Sequence, residues 1–220
     1  TMLLPTEVRP VFIVVLVAAE LAVPVVAERT GTTPWHPHHI TERYGLFTLI
    51  VLGESILAVA NSIIGSLSDS HERTGLIGIA ACALVIVASM WWIYFDRPQH
   101  DQTVSKPRAF FWGYLHYFIF ASAAAFSAGV EVAVAKRLHE SHLPHTVAGL
   151  TLTIPLAVFV VATWLALDAV RRDAVQAAGT AVLALALLAS ALLPYPLPGA
   201  AAVMVAAVAL VSWRHSAESR

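Results

Sequence analysis

Long apolar runs alternate along this chain with short segments that hold nearly all of the lysine, arginine, aspartate and glutamate. If about 20 apolar residues at a rise of about 1.5 Å make one crossing of a bilayer, the pattern predicts helices near residues 10–27, 44–64, 76–95, 110–135, 147–170, 175–193 and 197–213. The expected fold is all-α: a polytopic transmembrane helical bundle of about seven spans, forming a single domain over residues 1–220. The last two spans are the least distinct. Only Pro194, Tyr195, Pro196, Leu197, Pro198 and Gly199 part them, and the seventh is short.

Composition strengthens the membrane reading, because 58% of the 220 residues are hydrophobic and 12% are charged. A water-soluble fold of this size could not hide so much apolar surface. The formal net charge of −1 leaves no basic face to neutralise a phosphate backbone, so nucleic acid is not an expected partner. Cys82, the only cysteine, lies inside an apolar run, which excludes an internal disulfide and a cysteine metal cluster and leaves it as a small buried hydrophobe. The chain opens Thr1, Met2, Leu3, Leu4, Pro5 without the pattern of a cleaved signal peptide. That abrupt start leads us to expect the C-terminal part of a longer protein.

Lysine and arginine resist transfer during insertion, so their distribution predicts orientation. Arg9, Arg73, Lys136 and Arg137 would share one side; Arg29, Arg43, Arg97, Lys106, Arg108, Arg171, Arg172, Arg214 and Arg220 would share the other. A bias of nine to four among the 13 basic residues places the second set and the C-terminus in the cytoplasm. Trp91, Trp92, Tyr94 and Phe95 close the third span, and Phe110, Phe111, Trp112 and Tyr114 open the fourth. Amphipathic rings at a headgroup level are expected there.

The stretch from His36 to Ser62 concentrates the candidate chemistry. Glu54 follows Arg43 by 11 residues, or about 16 Å along a helix, which puts a carboxylate near mid-membrane. At about 100° per residue, Arg43, Glu54 and Asn61 fall on one line with Gly65 close by, while Leu46, Leu49, Ile56 and Ile63 lie elsewhere. An ionisable group at that depth costs several kcal/mol unless it is protonated, paired or wetted. Two readings are open: an ion- or proton-binding group, or an acid that fixes packing against a neighbouring helix.

Other polar positions are weaker. His38 and Glu42 have the i, i+4 spacing of two metal ligands on one helical face, although Glu42 and Arg43 also suit a cap and interfacial anchor. Glu20 precedes Pro24 by four residues, so the proline withholds the N–H that would reach the carbonyl of Glu20 itself. Pro155 similarly frees the carbonyl of Thr151. His116 and Glu131 stand near opposite ends of the fourth span, about 22 Å apart. His116 is a candidate proton relay or an interfacial ring beside Tyr114 and Tyr117, and Glu131 a candidate near the outer surface. Asp96 with Arg97, and Asp168 with Arg171 and Arg172, read as local charge pairs. The sixth and seventh spans, rich in alanine, read as packing helices. No catalytic triad, phosphate loop, HExxH or CxxC is found, and no enzyme activity or cofactor is expected.

HPHHITERYGLFTLIVLGES, WWIYFD from Trp91 to Asp96, and YLHYFIFASAAAFSAGVE around His116 resemble the bacterial low temperature requirement A (LtrA) family. The likeness covers roughly residues 33–135, and the later spans match it only in hydrophobic character. Carried over position by position, the motif residues are Glu42, Arg43, Gly45, Leu52, Gly53, Glu54, Trp92, Tyr94, Phe95 and Asp96. The resemblance implies a multi-pass protein of the bacterial cytoplasmic membrane, associated by name with growth in the cold.

Together these readings predict a membrane transport or permeation protein. Glu54, with Glu20, Asn61 and His116, would bind a proton or small cation between helices. The competing expectation is a non-transporting sensor or scaffold with structural buried acids. The lipid bilayer is the expected partner in both, and assembly into a homo-oligomer is left open.

Overall fold

The structure, a computed structural model, describes residues 8–27, 36–64, 72–96, 106–167 and 174–218. Arg29, Gly65, Arg97, Asp168, Arg171, Arg172 and Arg220 lie outside the described residues. Seven helices and no strand occur among those described: α1 Arg9–Ala27, α2 Pro37–Ile64, α3 Arg73–Phe95, α4 Lys106–Arg137, α5 His145–Leu167, α6 Ala174–Ser190 and α7 Pro196–Glu218. Helices α1 to α5 are long and apolar enough to cross a membrane. The apolar parts of α6 and α7 are shorter, at Ala174–Ser190 and Pro196–Ser212. α2 begins well before the span that hydropathy marks, with Pro37 at its first position, where the missing N–H is no loss. α4 ends where His139 takes φ 62° and the Glu140 N–H donates to the Ala135 carbonyl at 2.9 Å.

The chain forms two units. Thr1–His36 contains α1, a helix that continues through Pro24 and has no buried residue in its span. Pro37–Arg220 contains α2 to α7. Within the second unit α4 and α5 make the most extensive contact, and α3 packs on α7, α5 on α6 and α2 on α4. α4 supplies the clearest stripe: Trp112, Leu115, Ile119, Ala123, Phe126, Val130 and Val134 are buried at helical spacing. α7 buries Leu197, Ala200, Ala201, Met204 and Ala207 in the same way. Leu46, Leu49, Ile50, Ile56, Leu57 and other large apolar side chains are left uncovered by the protein. An aqueous surface would not carry that many, and lipid is the solvent they fit.

Small residues set the closest approaches. A Cβ on Gly129 would lie 2.5 Å from the Thr151 carbonyl oxygen, and one on Gly149 would lie 2.8 Å from that of Ala191. The Thr151 oxygen is the acceptor that Pro155 leaves without its helical N–H. Gly129 lets α4 come close enough for a Cα–H to face it. Polar ties confirm alternating helix direction: Trp92 Nε1 donates to Ser212 Oγ at 2.9 Å, joining the ends of α3 and α7. At the opposite end of α3, Glu72 pairs with Arg137 from the end of α4.

Candidate functional site

α2 has two faces of different chemistry. Tyr44 is half-buried, and Gly45, Thr48, Leu52, Ser55, Val59 and Ile63 turn into the bundle. Thr48 Oγ1 donates to the Tyr44 carbonyl at 2.8 Å; Ser55 Oγ lies 3.0 Å from Val51 O and 3.2 Å from Ala123 O of α4. Hydroxyls on this face are therefore satisfied by backbone, as burial in lipid requires. Arg43, Glu54 and Asn61 turn the other way and are exposed. The polar line inferred from spacing lies on the exposed side of α2, with Arg43 at the rim of a groove toward α4.

Glu54 thus stands well inside the apolar span His38–Ile64, ten residues before its end, and is exposed. Gly53 beside it is equally open: a Cβ there would meet nothing within 4 Å. The structure places Asn61 on the same exposed line as Glu54, and Glu20 exposed in the separate unit of α1. Glu131 is exposed on α4.

His116 does not join Glu54. Its ring is fully buried among Tyr44, Tyr94, Trp112 and Phe120, with Trp112 nearest at 4.0 Å between ring centres and Tyr44 at 4.8 Å. Nδ1 lies 2.7 Å from the Trp112 carbonyl and Nε2 2.8 Å from Tyr94 Oη. A carbonyl only accepts, so Nδ1 carries the proton, and in the neutral ring Nε2 accepts from the Tyr94 hydroxyl. His116 is a core residue rather than an interfacial ring beside Tyr114 and Tyr117. Sequence reasoning missed its partners, because Tyr44 and Tyr94 come from other helices.

The family-like stretches converge on this box. Phe95 lies across Gly45, with its Cε1 3.5 Å from where a Cβ would stand, and packs edge-on to Tyr94 at 4.8 Å. Tyr44 sets its hydroxyl over Gly113, 3.2 Å from a would-be Cβ. Asp96 caps α3 through its N–H to the Trp92 carbonyl at 2.9 Å. Of the motif residues, Gly45, Leu52 and Tyr94 build the interior, while Glu42, Arg43, Gly53 and Glu54 face outward. Outside the box, Arg43, Tyr44, Phe47, Gly113, Tyr117 and Phe120 line an open groove of about 280 Å³ between α2 and α4.

At the head of α2, His38, His39 and Glu42 bring ligand atoms within 4.8 Å of one another, all exposed. His39 Nδ1 lies 3.7 Å from Glu42 Oε2, so the structure adds His39 to the His38 and Glu42 spacing. Glu42 lies in the second helical turn, because α2 starts at Pro37, and so it does not cap the helix. The arrangement is a solvated cluster with metal-compatible geometry and no buried member.

A family model described as bacterial low temperature requirement A protein (LtrA) matches residues 1–213. The match extends beyond the motif-bearing stretch to α1 and to the last three helices. No curated protein and no solved structure matches the chain.

Proposed function

This chain belongs to the bacterial low temperature requirement A family, and on that premise we propose that it is a multi-pass transport or permeation protein in which Glu54 binds a proton or small cation. The observation that carries the reading is the carboxylate at mid-span on an exposed line with Arg43 and Asn61. A charge there needs water, a proton or a counter-charge, and each of these makes the site responsive to ions. In this reading the path follows the outer face of α2, and His116 serves to hold α2, α3 and α4 together. No chemical conversion is involved.

Purified protein in liposomes is expected to show pH- or cation-dependent flux that Glu54→Gln abolishes. Equal flux in the variant rejects the site. A second reading is favoured by the outward aim of the same line: Arg43, Glu54 and Asn61 would form a polar contact between copies of the chain. Under that reading Glu54→Gln shifts the oligomeric state, and the wild type shows no flux to lose.

A further inference from the structure

The first two turns of α2 carry three metal-ligating side chains together. His38 and Glu42 are four residues apart and His39 and Glu42 three, the two spacings that set side chains over one another on a helix. One ligand atom from each of the three lies within 4.8 Å of the other two, and all three residues are exposed. The imidazoles of His38 and His39 stand nearly perpendicular, at 85° between ring planes.

Capping does not account for Glu42, which lies beyond the free N–H groups of the helix start. A hydrogen bond to His39 does not account for it either, since Nδ1 and Oε2 are 3.7 Å apart. That separation suits two ligands of one ion. A zinc ion about 2.0–2.2 Å from each ligand holds neighbouring ligand atoms about 3.3–3.6 Å apart in a tetrahedron. The side chains of His39 and Glu42 are 72% and 57% exposed, so little packing opposes the rotations that bring the set onto one centre. Arg43, the nearest cation in sequence, turns about 100° away from Glu42, to the rim of the groove toward α4.

The donor set selects the ion. Two imidazole nitrogens and one carboxylate oxygen suit zinc, nickel or cobalt, whereas magnesium and calcium prefer oxygen alone. Three protein ligands leave the fourth position of a tetrahedron to water, and exposure lets the ion exchange with the solution.

We propose that His38, His39 and Glu42 bind an exchangeable divalent transition-metal ion of the zinc class at the polar start of α2. The site is independent of Glu54, which follows Glu42 by 12 residues, about 18 Å along the helix.

The test titrates zinc calorimetrically into the full chain, free of any polyhistidine tag, in zwitterionic lipid nanodiscs, with protein-free nanodiscs subtracted. The proposal expects one saturable zinc ion per chain and no saturable magnesium. His38→Ala, His39→Ala and Glu42→Gln should each weaken zinc binding by at least the roughly tenfold that even an outer-shell change costs. His142→Ala removes an exposed histidine outside the cluster and should leave the affinity unchanged. A variant whose metal-free unfolding midpoint falls is set aside, and the others decide the matter. Absence of saturable zinc binding, undiminished affinity in the variants that fold, or an equal loss in His142→Ala overturns the proposal.

Discussion

His116 shows how one side chain acquires its role from residues far away in sequence. Its neighbours Leu115 and Tyr117 point about 100° to either side of it on the helix, so adjacency says little about surroundings. The ring is instead held by Tyr94 of α3, the Trp112 carbonyl one turn back, and a T-shaped contact with Tyr44 from α2. Tyr94→Phe keeps the ring packing and removes the one hydroxyl that reaches Nε2. A buried nitrogen left without its partner should destabilise the protein by about 1–3 kcal/mol, read as a lower midpoint in reversible unfolding from mixed micelles. No shift would mean that the bond contributes nothing to the fold. Glu54 presents the opposite case: its type and angular position were legible from spacing, but the side it faces was not.

At the scale of elements, all seven helices could be placed from hydropathy, with the errors concentrated at polar ends. α2 starts at Pro37, seven residues before the apolar run, and α4 runs from Lys106 to Arg137 rather than from 110 to 135. Polar turns at a membrane interface are helical without being apolar, so a hydropathy window ends too soon. The glycines of these helices look alike in sequence and differ sharply in space. Gly129→Ala puts a Cβ 2.5 Å from a backbone oxygen and 3.1 Å from the Leu152 Cα, neither of which can rotate away. It should cost about 1–3 kcal/mol by forcing α4 from α5. Gly53→Ala meets nothing within 4 Å and should be neutral or stabilising by up to about 1 kcal/mol through helix propensity. Thermal unfolding of the two variants side by side checks this; similar midpoints would contradict the close α4–α5 approach.

At the scale of the whole molecule, the unit of α2 to α7 gathers helix ends into two sets, one around Trp92 and Ser212 and the other around Glu72 and Arg137. From the charge bias we expect the first set to be cytoplasmic. With Cys82→Ser as background, His142→Cys should react with a membrane-impermeant maleimide in intact cells, and Ala217→Cys only after lysis. The reverse labelling pattern would invert the assignment.

The sequence alone determined the class of protein, the number of helices and the polar line along α2, because these depend on counting apolar residues and on a fixed angle per residue; its family was legible from the motif stretches instead. Only the tertiary structure decided which way each helix faces. In water an amphipathic stripe announces its inward side, but lipid is as apolar as leucine, so a membrane helix is hydrophobic all round and its sequence carries little record of inside and outside. Direction comes instead from close packing and buried hydrogen bonds: Gly129 against Thr151, Ser55 beside Ala123, Tyr94 on His116. Those contacts turn Glu54 outward and enclose His116.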